Sequence, residues 1–216
     1  MYSSLAIIGT AGRKEDQSRL THFHYNRMVS ACVKLIEHLQ FDLPDLRLIS
    51  GGAAWADHLV VTLTKRGVVP YENTTLYLPS SLTNGGYVGE NEFSKKIANI
   101  ANYYHKLFSN CVGINSIKEL LELQDNGSVL IPGNGSFHAR NSDVAKSVSH
   151  NGVLLAFTFG APDIQQPIWT IRKFSGNTTA VEAGLKDGGT ADTWNKCTGQ
   201  KWHCVLGPTP KDPNFI

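Results

Sequence analysis

Charge is scarce in this 216-residue chain. Asp, Glu, Lys and Arg make up 18% against 41% hydrophobic residues, a balance that excludes a disordered chain or a coiled coil. Neither sign dominates: 20 Lys and Arg against 18 Asp and Glu leave a net charge of +2, too little to build a duplex nucleic-acid surface or a patch for an anionic membrane. Long apolar runs are missing as well, none approaching the ~18 residues of a membrane span. The opening MYSSLAIIGTAG has no basic segment ahead of its apolar residues, so it reads as a strand rather than a signal peptide. Only four cysteines occur, at 32, 111, 197 and 204, and no two form a CxxC pair; the expectation is a reducing, cytoplasmic setting. Cys32 falls on an apolar helical stripe and Cys204 in an alternating strand, and both read as core residues. HExxH is absent, and His22 and His24, two apart, point to different helix faces, so neither a metal nor a cofactor is expected. No GxxxxGK[ST] phosphate loop, internal repeat or low-complexity tract is present. At this length roughly 70% of the unfolded surface can be buried, enough for one core without staples.

What is there is a repeating strand–turn–helix pattern. Residues 5–8 form an apolar run that ends in Gly9-Thr10-Ala11-Gly12, a buried strand entering a tight turn. Met28, Cys32, Leu35, Ile36 and Leu39 recur at helical spacing, with Pro44 as the bound. Residues 46–49 give a second strand, broken by Gly51-Gly52. Ala56, Leu59, Val60 and Leu63 mark a second helix closed by Gly67, and residues 74–78 a third strand stopped by Pro79. This order predicts an α/β fold: a doubly wound, mostly parallel Rossmann-like sheet with helices on both faces.

The pattern pauses over about 80–135, read as an inserted helical segment with helices around 93–107 and 117–123, a candidate lid or oligomer surface. It resumes with a helix after Ser136, a strand over 153–157, an excursion over about 160–186 with a hairpin near 168–174, a helix from Gly188-Gly189-Thr190, and a last strand over 202–206. Pro208, Pro210 and Pro213 then mark an extended tail. The whole chain, 1–216, reads as one domain.

Three segments place glycines between a strand and a helix or at a helix start: GTAGR (9–13), SGGAAWAD (50–57) and DGGTAD (187–192). A phosphate reaches backbone N–H groups only where no Cβ intrudes, and a helix amino terminus adds partial positive charge. The hydroxyls of Thr10 and Thr190 are candidate additional donors. In an open parallel sheet such turns meet at the carboxyl edge, where ligands lie at the topological switch point. The candidate ligand-binding set is therefore Gly9, Thr10, Ala11, Gly51, Gly52, Gly188, Gly189 and Thr190. Arg13 and Arg140 are candidate phosphate clamps through paired guanidinium hydrogen bonds, with Asn141 beside Arg140. Asp57, read in the first turn of the second helix, either stabilises that helix end or accepts from a ribose hydroxyl. GTAG lacks the full GxGxxG spacing, and Ser50-Gly51 stands where an acidic residue would close the second strand, which argues against a standard NAD site.

With these segments in view, the chain resembles the SLOG superfamily, the Rossmann-like group of LOG phosphoribohydrolases and DprA-type proteins, and most nearly its YpsA-related branch, often found in phage and bacterial genomes. The resemblance rests on IIGTAGR, SGGAAWAD with Asp57, the Arg140-Asn141 helix leading to VLLAFTFG, and Gly188-Gly189-Thr190. It covers the first ~65 and last ~80 residues. It implies a nucleotide or nucleotide-derived ligand over the carboxyl edge and, in the LOG branch, cleavage of the N-glycosidic bond of a nucleoside phosphate. The LOG pattern carries a glutamate three residues after the threonine of its last glycine turn. Here that position is Thr193 and the neighbouring carboxylate is Asp192, the candidate catalytic group for orienting water and balancing oxocarbenium-like charge. Trp55 replaces a small residue of the second turn, either narrowing the pocket or stacking a base.

Three functions are thus in view: a nucleoside-phosphate N-glycosidase or transferase; a sensor or sequestering protein that binds a nucleotide signal without turnover; and, disfavoured by the charge balance, a single-stranded nucleic-acid module using Tyr87, Tyr103, Tyr104 and Lys95-Lys96. The expected partners are a nucleotide ligand and a second copy of the chain, with the 91–110 helix as the oligomer surface, and no membrane.

Overall fold

β1 (Ser4–Gly9) alternates its apolar side chains between two layers, which sets the plan of the molecule. Leu5 and Ile7 enter one apolar cluster and Ala6 and Ile8 another, as the two-residue period of a strand requires. The computed structural model describes residues 2–133, 136–148, 150–161, 167–186 and 188–208. Asp187 of the third glycine turn, part of the 160–186 excursion, and the tail prolines Pro210 and Pro213 lie outside the described residues.

After β1 come α1 (Asp16–Arg19), α2 (His22–His38), β2 (Arg47–Ser50), α3 (Leu59–Lys65) and β3 (Thr74–Leu78). A short antiparallel pair, β4 (Ser81–Thr83) with β5 (Gly86–Val88), leads into α4 (Glu92–Val112), α5 (Ser116–Asp125) and β6 (Val129–Pro132). The chain continues through α6 (Phe137–Ser147), β7 (Gly152–Thr158), β8 (Ile171–Phe174), α7 (Gly189–Lys196) and β9 (Gln200–Val205). The seven-stranded sheet runs β6-β3-β2-β1-β7-β9-β8, parallel throughout except where β8 meets β9. It is the doubly wound α/β sheet that the sequence pattern predicts. The strand order reverses between β1 and β7, so the switch point lies between their carboxyl ends.

The larger cluster takes Tyr25, Met28 and Cys32 of α2, Leu59 and Leu63 of α3, Phe108 of α4 and Leu120 of α5. The opposite face takes Val144 and Ala145 of α6 with Ala191 and Trp194 of α7. Each fully buried Leu or Ile contributes about 1.5–3 kcal/mol relative to exposure. Cys32 and Cys204 both lie in this core.

Two readings need correction. Residues 129–132 form β6, which pairs with β3 in parallel. The segment read as an insertion is therefore largely the crossover from β3 to β6, and α4 presents Ile97, Ala98, His105 and Phe108 to its own chain's core. Near 168–174 the chain forms no hairpin on itself: β8 adds antiparallel to β9 as the sheet edge. No helix of the described residues is long and apolar enough to cross a membrane.

A candidate ligand cleft at the switch point

The carboxyl ends of the central strands open onto a cleft of about 1120 Å³. Gly9, Thr10, Ala11 and Arg13 of the first turn, Gly51, Ala53 and Asp57 of the second, and Gly188, Gly189 and Thr190 of the third all line it, with Arg140 and Asn141 of α6. The three glycine turns, far apart in the chain, share one rim. Five cationic side chains (Arg13, Lys14, Arg19, Arg140 and Lys186) face three carboxylates (Glu15, Asp16 and Asp57) among the lining residues, so the cleft favours an anion.

Backbone approach explains the glycines. A Cβ on Gly9 would fall 2.2 Å from the Phe157 carbonyl oxygen and 2.7 Å from Ala56 Cβ. The close crossing of β1, β7 and the second turn is thus open only to glycine. A Cβ on Gly51 would fall 2.7 Å from Asp57 Oδ2 and 2.8 Å from Arg140 Nε. Gly51 therefore separates a carboxylate from a guanidinium that form no direct ion pair.

Asp57 lies in the turn ahead of α3, not in the helix, because Trp55 takes a left-handed backbone (φ 64°) and delays the helix start to Leu59. Its Oδ2 accepts hydrogen bonds from Gly51 N–H at 3.1 Å and Ala53 N–H at 3.3 Å. Burial pushes the Asp57 carboxyl above the usual carboxylate range; Arg140, the two N–H groups and Arg13 act in the opposite direction without cancelling it. Arg140 donates through Nη1 to Gly51 O at 3.1 Å and through Nη2 to Asn141 Oδ1 at 3.3 Å. Its Nε is buried without a hydrogen-bond partner. Burial lowers its pKa, with Asp57 the leading opposing influence, and a guanidinium so placed remains a cation.

Phe137, at the start of α6, was not among the sequence candidates. Its ring lies under both guanidiniums, 4.8 Å from Arg13 and 5.3 Å from Arg140. The signal available for it was the i, i+3 spacing to Arg140, which puts both on one helix face. The ion pair between Lys186 and Glu15 at the cleft mouth was also missed, and its 171-residue separation leaves no local signal.

Several candidates do other work. The Thr10 hydroxyl donates to Asp16 Oδ2 at 2.7 Å, and Thr190 Oγ1 donates to Gly9 O at 2.9 Å. Both hydroxyls thus brace the turns, the second tying the third turn to the first, and neither offers its proton to a ligand. Gly52 does not line the cleft. Its carbonyl is held from below by Tyr87 Oη at 2.8 Å and His105 Nε2 at 3.0 Å. His105 accepts from Ser116 at Nδ1, and burial pulls its pKa down to about 3, so it stays neutral. Tyr87 is thereby a core support and not an exposed stacking residue. Trp55 likewise packs in the core against Tyr25 and Phe108, and its Nε1 lies where a Gly12 Cβ would be. It carries the first turn from beneath rather than facing a base.

Asp192 stands outside the cleft lining. Its Oδ2 takes Lys196 Nζ at 2.9 Å, Asn141 Nδ2 at 3.0 Å and His138 Nδ1 at 3.3 Å. Partial burial opposes its ionisation, yet those hydrogen bonds outweigh it and hold its pKa below the ordinary value. Asn141 also donates to Gly189 O, so this cluster fixes α6 against the third turn.

Fold and cleft together define an α/β protein with a doubly wound sheet and an anion-favouring switch-point cleft. The chain belongs to the same family as "Uncharacterized protein R261" of Acanthamoeba polyphaga mimivirus, with which it is 31% identical over 194 residues, 89% of each chain. No family model and no solved structure matches it.

Proposed function

We propose that the chain binds a nucleotide or nucleotide-derived ligand in the switch-point cleft. Arg140 and Arg13 receive its phosphate, the glycine turns lend backbone N–H groups, and Asp57 accepts from its ribose. One observation carries this reading: the three turns meet around the half-buried Arg140, whose buried Nε–H has no partner and whose charge faces a cleft-lining carboxylate. An unsatisfied buried donor is costly, and an anionic oxygen is the group that would satisfy it. The order and placement of the turns also support grouping the chain with the SLOG proteins.

Calorimetry with the ribonucleoside 5′-mono- and diphosphates tests the proposal. Binding that weakens about tenfold or more in Arg140→Met is expected, the loss of roughly one charge-assisted interaction. No binding to any of these nucleotides by the native chain would overturn it.

Binding without turnover is the favoured form, because Asp192, the carboxylate nearest the LOG glutamate position, is held by three hydrogen bonds away from the cleft. The alternative is hydrolysis or transfer at the N-glycosidic bond, for which Asp57 is the carboxylate in place. Chromatography of free base separates the two. Base release that survives Asp192→Ala and vanishes in Asp57→Asn supports the enzyme; binding with no released base supports the sensor.

A further inference from the structure

The cleft has a neighbour. A groove of about 780 Å³ runs along α4, and Arg13 and Lys14 line both it and the cleft. Across the groove stand Lys95, Lys96, Tyr103 and Tyr104 of α4. The Arg13 guanidinium sits at the saddle, 4.8 Å from the Phe137 ring on the cleft side and 5.3 Å from the Tyr104 ring on the groove side. Beyond Tyr104 lies Tyr103, its ring packed edge-on at 5.2 Å. Tyr103 is 52% exposed, on a helix whose other face is buried.

The sequence of groups across the saddle is therefore aromatic, cation, aromatic, with two further lysines beside the second ring. We propose that the ligand is a phosphate-bridged dinucleotide. One nucleoside occupies the switch-point cleft, the bridging phosphates lie at Arg13 and Lys14, and the second base stacks on Tyr103 in the α4 groove. The chemistry of the lining carries this assignment. A guanidinium shared by two cavities suits an anion that links two halves of one molecule. An exposed tyrosine next to lysines suits a heterocycle carried on a phosphate, because stacking on an aromatic face accepts any base. A mononucleotide in the cleft would leave the groove without a role. A longer strand would need a basic track continuing past α4, which a chain with net charge +2 and a groove containing Glu92 does not suggest.

This inference rests on the nucleotide reading of the cleft, and the experiment keeps the two apart. The probes are the four ribonucleoside 5′-monophosphates, the pyrophosphate-linked diadenosine and diguanosine dinucleotides, and single-stranded oligonucleotides of about ten residues, titrated by calorimetry into the full chain. The expected result is a dinucleotide that binds about tenfold or more tighter than its monophosphate, the value of one added stacking contact. In Tyr103→Ala/Lys96→Glu, which changes two exposed side chains, that advantage falls to about onefold while monophosphate affinity holds. Monophosphate binding with no dinucleotide advantage overturns the inference and leaves the cleft reading standing. So does a double variant that weakens both ligands equally, and so does tight binding confined to the oligonucleotides. Failure of every probe overturns the cleft reading as well.

Discussion

Replacing Arg140 by Met tests the electrostatics of the cleft without any ligand. Met keeps most of the stem volume but removes the guanidinium that lies over Phe137 and whose effect on Asp57 is the largest of any side chain. Two unit charges about 5–6 Å apart at an effective dielectric near 20 interact by about 3 kcal/mol. Arg140 is half-buried, with part of its side chain open to the cleft, so roughly half of that is a fair expectation. Loss of the Nη1 bond to Gly51 O adds about 1 kcal/mol, and the total comes to about 2–3 kcal/mol at neutral pH.

The pH dependence is the sharper signature. The Asp57 carboxyl is already raised by burial, so its protonated form fits the fold better, and stability linked to it declines as pH climbs through its folded pKa. Without Arg140 that pKa rises further. The variant's deficit is therefore largest at neutral pH and shrinks as pH falls and the carboxyl takes up its proton, with or without its counter-charge. Urea unfolding of both proteins across that range gives the difference directly, since other titrating groups cancel. Adding Asp57→Asn should recover part of the loss. A deficit that is flat with pH, or grows in acid, refutes Arg140 as the counter-charge of Asp57.

Further outcomes are expected elsewhere. Thr190→Val removes the hydroxyl bond to Gly9 O and should cost about 1 kcal/mol in denaturant unfolding, with weaker nucleotide binding because two turns lose their tie. Tyr87→Phe should cost about 1 kcal/mol, since His105 still serves the Gly52 carbonyl; a cost above about 3 kcal/mol would mean that the carbonyl had lost both donors. Glu119, bonded to His58 and Lys65, has its pKa pulled down to about 2: burial opposes ionisation, but those two partners prevail. Its contribution is present above the unfolded carboxylate value and lost as pH falls toward about 2. The stability gap between the native chain and Glu119→Gln should narrow over that interval, and an unchanged gap would argue against the contact.

The strands and helices of the central sheet were legible because their apolar periods are strong and glycine or proline punctuates them: 74–78 and the Ser136 helix start fall where the pattern puts them. β6 was not legible. Val129-Leu130-Ile131-Pro132 is four residues long, mostly exposed and ended by proline, so neither alternation nor length marks it as a strand. At the site, glycine spacing revealed which turns meet, because that depends on parallel topology alone. Which side chains face the cleft depends on rotamers and long-range packing. Trp55 and Asp192 read as pocket residues from their neighbours in sequence, yet one is drawn under Gly12 by Tyr25 and Phe108, and the other is claimed by Lys196 one helical turn along.

The indole under Gly12 and the tyrosine and histidine under Gly52 tie the first two glycine turns to the buried interior. Changes there act on folding and on the shape of the turns together. The outer wall is different: Arg13, Lys14, Glu15 and Lys186 are solvent-facing and anchored by few contacts. The charge of the cleft can therefore be changed from the wall, at little cost to stability, while the turns keep their shape.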